Sequence, residues 1–397
     1  MTWDKSRKYK VLHVWDTRVN SGTNLDDSLE NSPITQRIVS RVSVRQGEDG
    51  SLQQISMYVL PKIQSPFPKN ISLRFISQQK FKRQVLDEIS SFHPDLIVFH
   101  FGQCAARFMR KLKNMDIPFV VALYGHDLSV ALKSKRWRFR YKIFTQTNGG
   151  FLVLAEDPRG RLISLGIPEN QISMYSFPLD VTSYLEIEDR LPSKTFRVTI
   201  PGRFVEKKGH KYLFEAVHLL KNCQIHIHLT VLGYGERDNY LEEIQTLGIQ
   251  DQISWVDTSE ATINGDFNKV YAKVLSETDL VVLPCITSID GDNEAGPALV
   301  LCLAQAAGVP VITTAFEGHE VSIVPGSTGL IVSEKNSQDL ANLIEWSVNH
   351  PIEIAEIAKN ARISVRSLFD FDSSVEKILL ILIKEINRQK SNMITVP

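Results

Sequence analysis

Along the 397-residue chain, apolar residues gather in short, nearly unbroken runs separated by longer segments in which they recur at helical spacing. In the first half the runs fall at 10–15, 95–101, 119–124, 151–155 and 172–177. A strand that is apolar on both sides is buried on both, as parallel strands are. Helical periodicity occupies 79–92, which ends before His93-Pro94, and 105–115, which ends before Ile117-Pro118. This is the pattern of successive βα units. Between Thr17 and Pro68 the pattern changes: Asn, Ser, Asp and Gly become frequent, and 38–44 and 55–60 alternate like edge or antiparallel strands, which predicts a hairpin.

The second half repeats the alternation. Strands are predicted at 196–200, 225–232, 253–256, 279–284, 310–313 and 329–332, with helices at 209–220, 237–247, 268–277, 298–307, 337–349 and 352–369. The polar, acidic stretch 178–192 has no sustained period and precedes a fresh strand, so the domain linker is expected there. A last amphipathic helix at 374–387 has no following strand and is expected to pack across both domains. The fold class is therefore α/β, with two domains of ordinary size.

Charge adds little to this picture and excludes one class. Lys+Arg and Asp+Glu are both 45 and the pI is about 7.2, so no global field favours nucleic acid. Cys104, Cys223, Cys285 and Cys302 lie far apart without CxxC spacing, which argues against a metal cluster or a disulfide framework and for a reducing compartment. The N-terminus has no apolar leader and the longest late apolar run, 378–383, is too short to span a bilayer. A cytoplasmic protein is expected, with peripheral membrane contact left open.

Candidate chemistry sits where strands end. In 201–217, PGRFVEKKGHKYLFEAV, Arg203 and Lys208 flank a turn before Gly209 and a helix, a pairing suited to a diphosphate, although a solvated βα loop has the same composition. Gly233 and Gly235 close another strand, where a tight turn explains them as well as ligand contact. In 290–299, GDNEAGPAL follows Asp290: a turn, then Glu294, then Pro297 where a first helical turn tolerates proline. A carboxylate beside a phosphate site suits sugar hydroxyls better than a metal, and the alternative is an acidic turn that complements the helix dipole.

These motifs, GRFVEKKGHKYLFEAV, VLGYGE, DLVVLP and GDNEAGPALVLCLAQAAGVPVITT, together resemble those of retaining glycosyltransferase family 4, with the GT-B fold. The first half adds PDLIVFHFG and VVALYGHDLS. The resemblance implies two Rossmann-like domains whose parallel sheets face across a cleft, divided as 1–178 for the acceptor, 179–195 as linker, 196–371 for the nucleotide-sugar donor, and 372–397 as a helix returning to the first domain. It implies that Arg203 and Lys208 bind the donor pyrophosphate, assisted by Gly22. Glu294, Ala295, Gly296, Pro297 and Ala298 would hold the donor sugar, and Gly233, Val256, Leu299 and Cys302 would surround the nucleoside. Tyr124, His126 and Asp127 would lie on the side of the acceptor or the transferring sugar. No metal or cofactor is expected: the nucleotide sugar, a UDP-hexose by family frequency, is the substrate, and Asp290-Gly291-Asp292 is a turn.

Three positions depart from the family pattern. Its second glutamate falls on Cys302, which cannot bond ribose hydroxyls as a carboxylate does. The histidine of its HGxD segment falls on Tyr124, with His126 and Asp127 after it, and a single Gly22 replaces its Gly-Gly turn. Independently of the family, 133–142, KSKRWRFRYK, interleaves cations with Trp137, Phe139 and Tyr141. As a helix this suits an anionic membrane or a lipid-linked acceptor; as a strand it would be a solvated face over a local core. The expected function is transfer of a hexose to a hydroxyl of a glycan or lipid-linked saccharide. The competing expectation is a binding or scaffold module weakened at Cys302 and Tyr124.

Overall fold

The computed structural model describes residues 8–19, 34–46, 52–59, 63–66, 71–112, 117–187, 195–264, 266–294, 296–369 and 371–394. The chain forms two compact units, 1–176 with 372–397, and 177–371. Of the expected linker, 188–194 lie outside the described residues, as do Gly22 and Ala295.

In the first unit, β1 (Lys8–Val19), β2 (Ile34–Gln46), β3 (Leu52–Val59) and β4 (Ile63–Pro66) precede β5 (Leu96–His100), β6 (Phe119–Ala122), β7 (Gly150–Val153) and β8 (Ile172–Met174). One sheet runs β3-β2-β1-β5-β6-β7-β8, with β4 also on β2. The unbroken apolar strands β1, β5, β6, β7 and β8 pair in parallel, and the alternating β2 and β3 pair antiparallel, as their patterns require. Two apolar layers flank this sheet. On one face Leu12, Val14, Ile97, Phe99 and Val121 meet Phe81, Val85 and Phe108. On the other, Val11, Leu96, Val98, Val120 and Leu152 meet Leu382, Ile383 and Ile386 of the last helix, Phe371–Ile394. The chain's final helix thus returns to the first unit, held by its apolar stripe.

Hydrogen bonds reinforce that return. Gln389 donates from Nε2 to the Phe119 carbonyl and accepts from the Phe119 N–H, each at 2.9 Å. Arg388 reaches Asn148 through both Oδ1 (2.8 Å) and the carbonyl (2.9 Å).

The second unit holds β9 (Phe196–Pro201), β10 (Ile227–Gly233), β11 (Ile253–Asp257), β12 (Leu280–Leu283), β13 (Val311–Thr314) and β14 (Leu330–Val332). Their order, β11-β10-β9-β12-β13-β14, is wholly parallel and reverses between β9 and β12. In open parallel sheets, ligands bind outside the carboxyl ends of the strands at such a reversal. The loops there are those after β9 and β12, which carry Arg203, Lys208 and Glu294. The helix Ser259–Asn264 is an addition to the elements the periodicity predicts.

Candidate functional site: a lysine–glutamate cluster at the strand reversal

Two glycines let the loops after β9, β10 and β12 converge. Gly209 is left-handed (φ 70°), and a Cβ on it would lie 1.8 Å from the Pro284 carbonyl oxygen at the end of β12. A Cβ on Gly233 would lie 1.8 Å from the Gly202 carbonyl oxygen. Gly233 therefore serves close backbone packing at a strand end. The loops are also tied directly: the Ile289 N–H donates to Glu206 Oε2 at 3.2 Å, and the Ile286 N–H donates to the Lys207 carbonyl at 2.9 Å.

At the junction lies a cluster of charge. Glu294 Oε1 receives Lys208 Nζ at 2.9 Å and Lys207 Nζ at 3.4 Å. Lys207 also reaches Asp292 Oδ2 at 3.1 Å and the Asn293 carbonyl at 3.3 Å. Burial alone would raise the Glu294 pKa, yet Lys207, Lys208 and Arg203 hold it far below the usual carboxylate range. Burial lowers the Lys208 pKa, but Glu294 and Cys285 together raise it by more, so the net shift is upward. Arg203 feels both groups electrostatically, and among the described residues its side chain has neither an ion pair nor a hydrogen bond. The cluster therefore offers a diphosphate one uncommitted guanidinium and one lysine already charged. Glu294 Oε2 accepts nothing from the described residues and is open to a sugar hydroxyl.

Two residues here were absent from the sequence expectations. Lys207 is buried in the ion-pair cluster; its place beside Lys208 was the available signal. His210 is buried with both ring nitrogens unpaired among the described residues, packed among Phe204, Phe214 and Tyr240, and burial followed by Lys208 pushes its pKa down to about 3.

The acidic loop is a turn: Ser288 Oγ and the Asp292 N–H both donate to Asp290 Oδ1, at 2.5 and 3.1 Å, and Gly291 is left-handed. Beyond Glu294 the structure corrects three expectations. The helix begins at Leu299 with Ala298 as N-cap, so Pro297 precedes it rather than occupying its first turn. The Gly296 N–H donates to the Glu317 carbonyl at 2.9 Å and is not available to an anion. The first-turn amides of Leu299 and Val300, which have no intrahelical acceptor, remain the candidates.

Cys302 is the third correction. It is fully buried on the core side of the helix Leu299–Ala306, its thiol pKa pushed up to about 12 by burial. A nucleoside does not meet it there. Cys302→Ala is expected to leave UDP affinity unchanged and to lower stability by about 1 kcal/mol, the order of one buried methylene, measured by calorimetry and urea unfolding. Val256 lines a cavity of about 510 Å³ with Arg197, His228, Thr230, Ser254 and Glu277.

In the first unit, Asp127 is buried and turned inward rather than toward a ligand. Its carboxylate accepts from the Gly102 N–H (2.9 Å), the Tyr124 N–H (3.0 Å) and Tyr141 Oη (3.3 Å), so it caps the helix Gly102–Leu112 and fixes Tyr124. Burial outweighs these bonds and raises its pKa to about 7. Its protonation on folding thus favours the fold at low pH, and that contribution is lost as pH rises through 7. Asp127→Asn brings an amide donor against donors and is expected to cost about 1–3 kcal/mol, with a weaker dependence of melting temperature on pH between 5 and 8. His126 lies in the short helix Gly125–Leu128; its side chain is outside the described residues.

The segment 133–142 is helical over Lys135–Tyr141. Tyr141 is buried and Trp137 packs on the same core, whereas Phe139 is 75% exposed among exposed Lys135, Arg136 and Arg138. Aromatics thus serve both faces of the helix.

Two units of this topology make up the GT-B fold, which solved glycosyltransferase structures share. Residues 186–364 match the family model of glycosyl transferases group 1. The chain is similar to the putative colanic acid biosynthesis glycosyltransferase WcaL of Escherichia coli K12, with 27% identity over 72% of this chain and 68% of that one. It is also similar to the amylovoran biosynthesis glycosyltransferase AmsK of Erwinia amylovora, at 24% identity over 82% and 80%. Among solved structures, Anabaena HepE in complex with UDP-glucose aligns with a TM-score of 0.65 and 18% identity, covering 77% of this chain and 82% of that one.

Proposed function

We propose that the protein is a retaining, metal-independent hexosyltransferase of polysaccharide biosynthesis that takes its sugar from UDP-glucose or a related UDP-sugar. The observation that carries this is the Glu294 carboxylate, one oxygen gripped by Lys207 and Lys208 and the other open, with Arg203 beside it. Arg203 and Lys208 bind the diphosphate, and Glu294 Oε2 accepts a hydroxyl of the donor hexose. In the reaction the anomeric carbon–phosphate oxygen bond breaks and a bond to the acceptor oxygen forms. The electron pair leaves with the diphosphate, which the two cations stabilise, and the acceptor's hydroxyl proton goes to that leaving group. Similarity to the colanic acid and amylovoran biosynthesis glycosyltransferases supports a polysaccharide acceptor, and the fold shared with the HepE complex with UDP-glucose is consistent with a UDP-sugar.

Calorimetry with UDP, GDP and ADP, followed by turnover of UDP-glucose in chelator, tests this reading. UDP binding with chelator-resistant turnover is expected, and failure of every nucleoside diphosphate to bind at millimolar concentration overturns it. Arg203→Ala is expected to weaken UDP binding by about 1.5–3 kcal/mol, the scale of a charged hydrogen bond; unchanged affinity removes Arg203 from the phosphate site.

Contact with an anionic membrane through Lys135–Tyr141 is part of the proposal, supported by exposed Phe139 within a cationic surface. Cosedimentation with phosphatidylserine vesicles, lost in Phe139→Ala and absent with phosphatidylcholine, is the expected result. Among the described residues no helix is long and apolar enough to cross a membrane.

A further inference from the structure

The face of the first sheet that the last helix covers changes character toward the carboxyl ends of its strands. Tyr9 and Val11 of β1, Leu96 and Val98 of β5, and Val120 and Ala122 of β6 are apolar and buried under that helix. Side chains alternate along a strand, so the next on the same face are His13, His100 and Tyr124. Tyr175, just past β8, joins them. All four are partly accessible, and His13, His100 and Tyr124 are hydrogen-bonded in a row across the sheet. His13 Nδ1 lies 3.1 Å from His100 Nε2 and His100 Nδ1 lies 2.9 Å from Tyr124 Oη, and the Tyr175 phenol is close enough to interact with that of Tyr124.

The rings are stacked as well as bonded. His13 and His100 have centroids 5.4 Å apart at 26°, and the His100 and Tyr124 planes lie within 11°. Burial holds both imidazoles neutral, His13 down to about 4. A neutral imidazole has one donor and one acceptor nitrogen, so each ring passes on the sense of the bond it receives. If His13 Nδ1–H donates, His100 Nδ1–H donates to Tyr124; if His13 accepts, both bonds reverse. The tyrosine end of the row thereby presents a donor in one state and an acceptor in the other. A phenol pair of this kind matches a sugar hydroxyl, which is itself both donor and acceptor.

We propose that Tyr124 and Tyr175 bind a hydroxyl of the acceptor saccharide, with His100 and His13 as positioning residues that set which way the tyrosine hydroxyls point. This deepens the reading of the first unit as the acceptor side and rests on the protein being a hexosyltransferase. The backbone of Tyr124 is independently fixed by Asp127, so the row directs its hydroxyl rather than its place in the fold.

The test follows the ring nitrogens of His13 and His100 by 15N NMR in the full-length protein as glucose, galactose or mannose is added to high concentration, without nucleotide. At least one hexose is expected to shift both rings. In Tyr124→Phe the shifts are expected to vanish, and in His100→Leu hexose binding, read by calorimetry, is expected to weaken about tenfold, with partial rescue by His100→Gln, which retains a donor and an acceptor. A merely structural histidine would lower the melting temperature in Leu and Gln variants alike without a hexose-dependent signal. Ring signals unmoved by all three sugars overturn the proposal, as does full hexose affinity in His100→Leu. Because UDP binding is read separately in the second unit, loss of the glycosyltransferase reading and loss of this one are distinguishable.

Discussion

Lys208→Met is expected to lower turnover of UDP-glucose about a hundred- to a thousandfold while leaving the protein folded. The size follows from removing one preorganised charge from a site where negative charge develops on the leaving diphosphate. Retention of the fold follows from the geometry of the cluster. Glu294 Oε1 is shared between Lys208 at 2.9 Å and Lys207 at 3.4 Å, so removing Lys208 does not strand the carboxylate. Lys207 cannot replace its neighbour in catalysis, because it is also committed to Asp292 and the Asn293 carbonyl. Steady-state kinetics with UDP-glucose and a thermal melt of the same preparation check both halves. A variant with normal turnover removes Lys208 from the phosphate site, and one that is unfolded shows that Lys207 does not hold Glu294 alone.

Why the sequence revealed some of this and not the rest has a physical basis. Parallel strands buried under helices on both sides are nearly continuous in apolar residues, and β5, β6, β7, β9, β12 and β13 stand out for that reason. That Arg203, Lys208 and Glu294 lie together was legible because they sit in loops at strand ends, where glycine marks the meeting of backbones. Lys207 was not, since neighbouring lysines differ only in which way a turn points them, and the short turn Glu206–Lys208 sends Lys207 inward. Cys302 was misplaced for a related reason: family spacing locates a position along a helix, whereas burial depends on its phase against the core. The row His13–His100–Tyr124, with Tyr175 beside it, brings together four segments distant in sequence and exists only through strand register, which local pattern does not report.

Glu294→Gln is expected to be the most destabilising change in the cluster, at about 3–5 kcal/mol, because it leaves buried cations without their counter-charge. Lys207 would keep Asp292, but Lys208 would lose its only ion-pair partner among the described residues. The Lys208→Met/Glu294→Leu double variant removes both charges and is expected to recover much of that loss, since a buried pair replaced by apolar groups of similar volume is often close to neutral. The sign of the pH dependence separates this origin from a packing defect. Lys207, Lys208 and Arg203 together hold the Glu294 pKa below that of an unfolded glutamate. Its contribution is complete above the unfolded value, near 4.3, and is lost as pH falls toward the folded one. The wild-type advantage over Glu294→Gln in urea unfolding should therefore be constant from pH 8 to 5 and shrink below about pH 4, by about 1.4 kcal/mol per pH unit. An advantage that persists undiminished at pH 3 would place the stabilisation in the shape of the side chain and not in its charge.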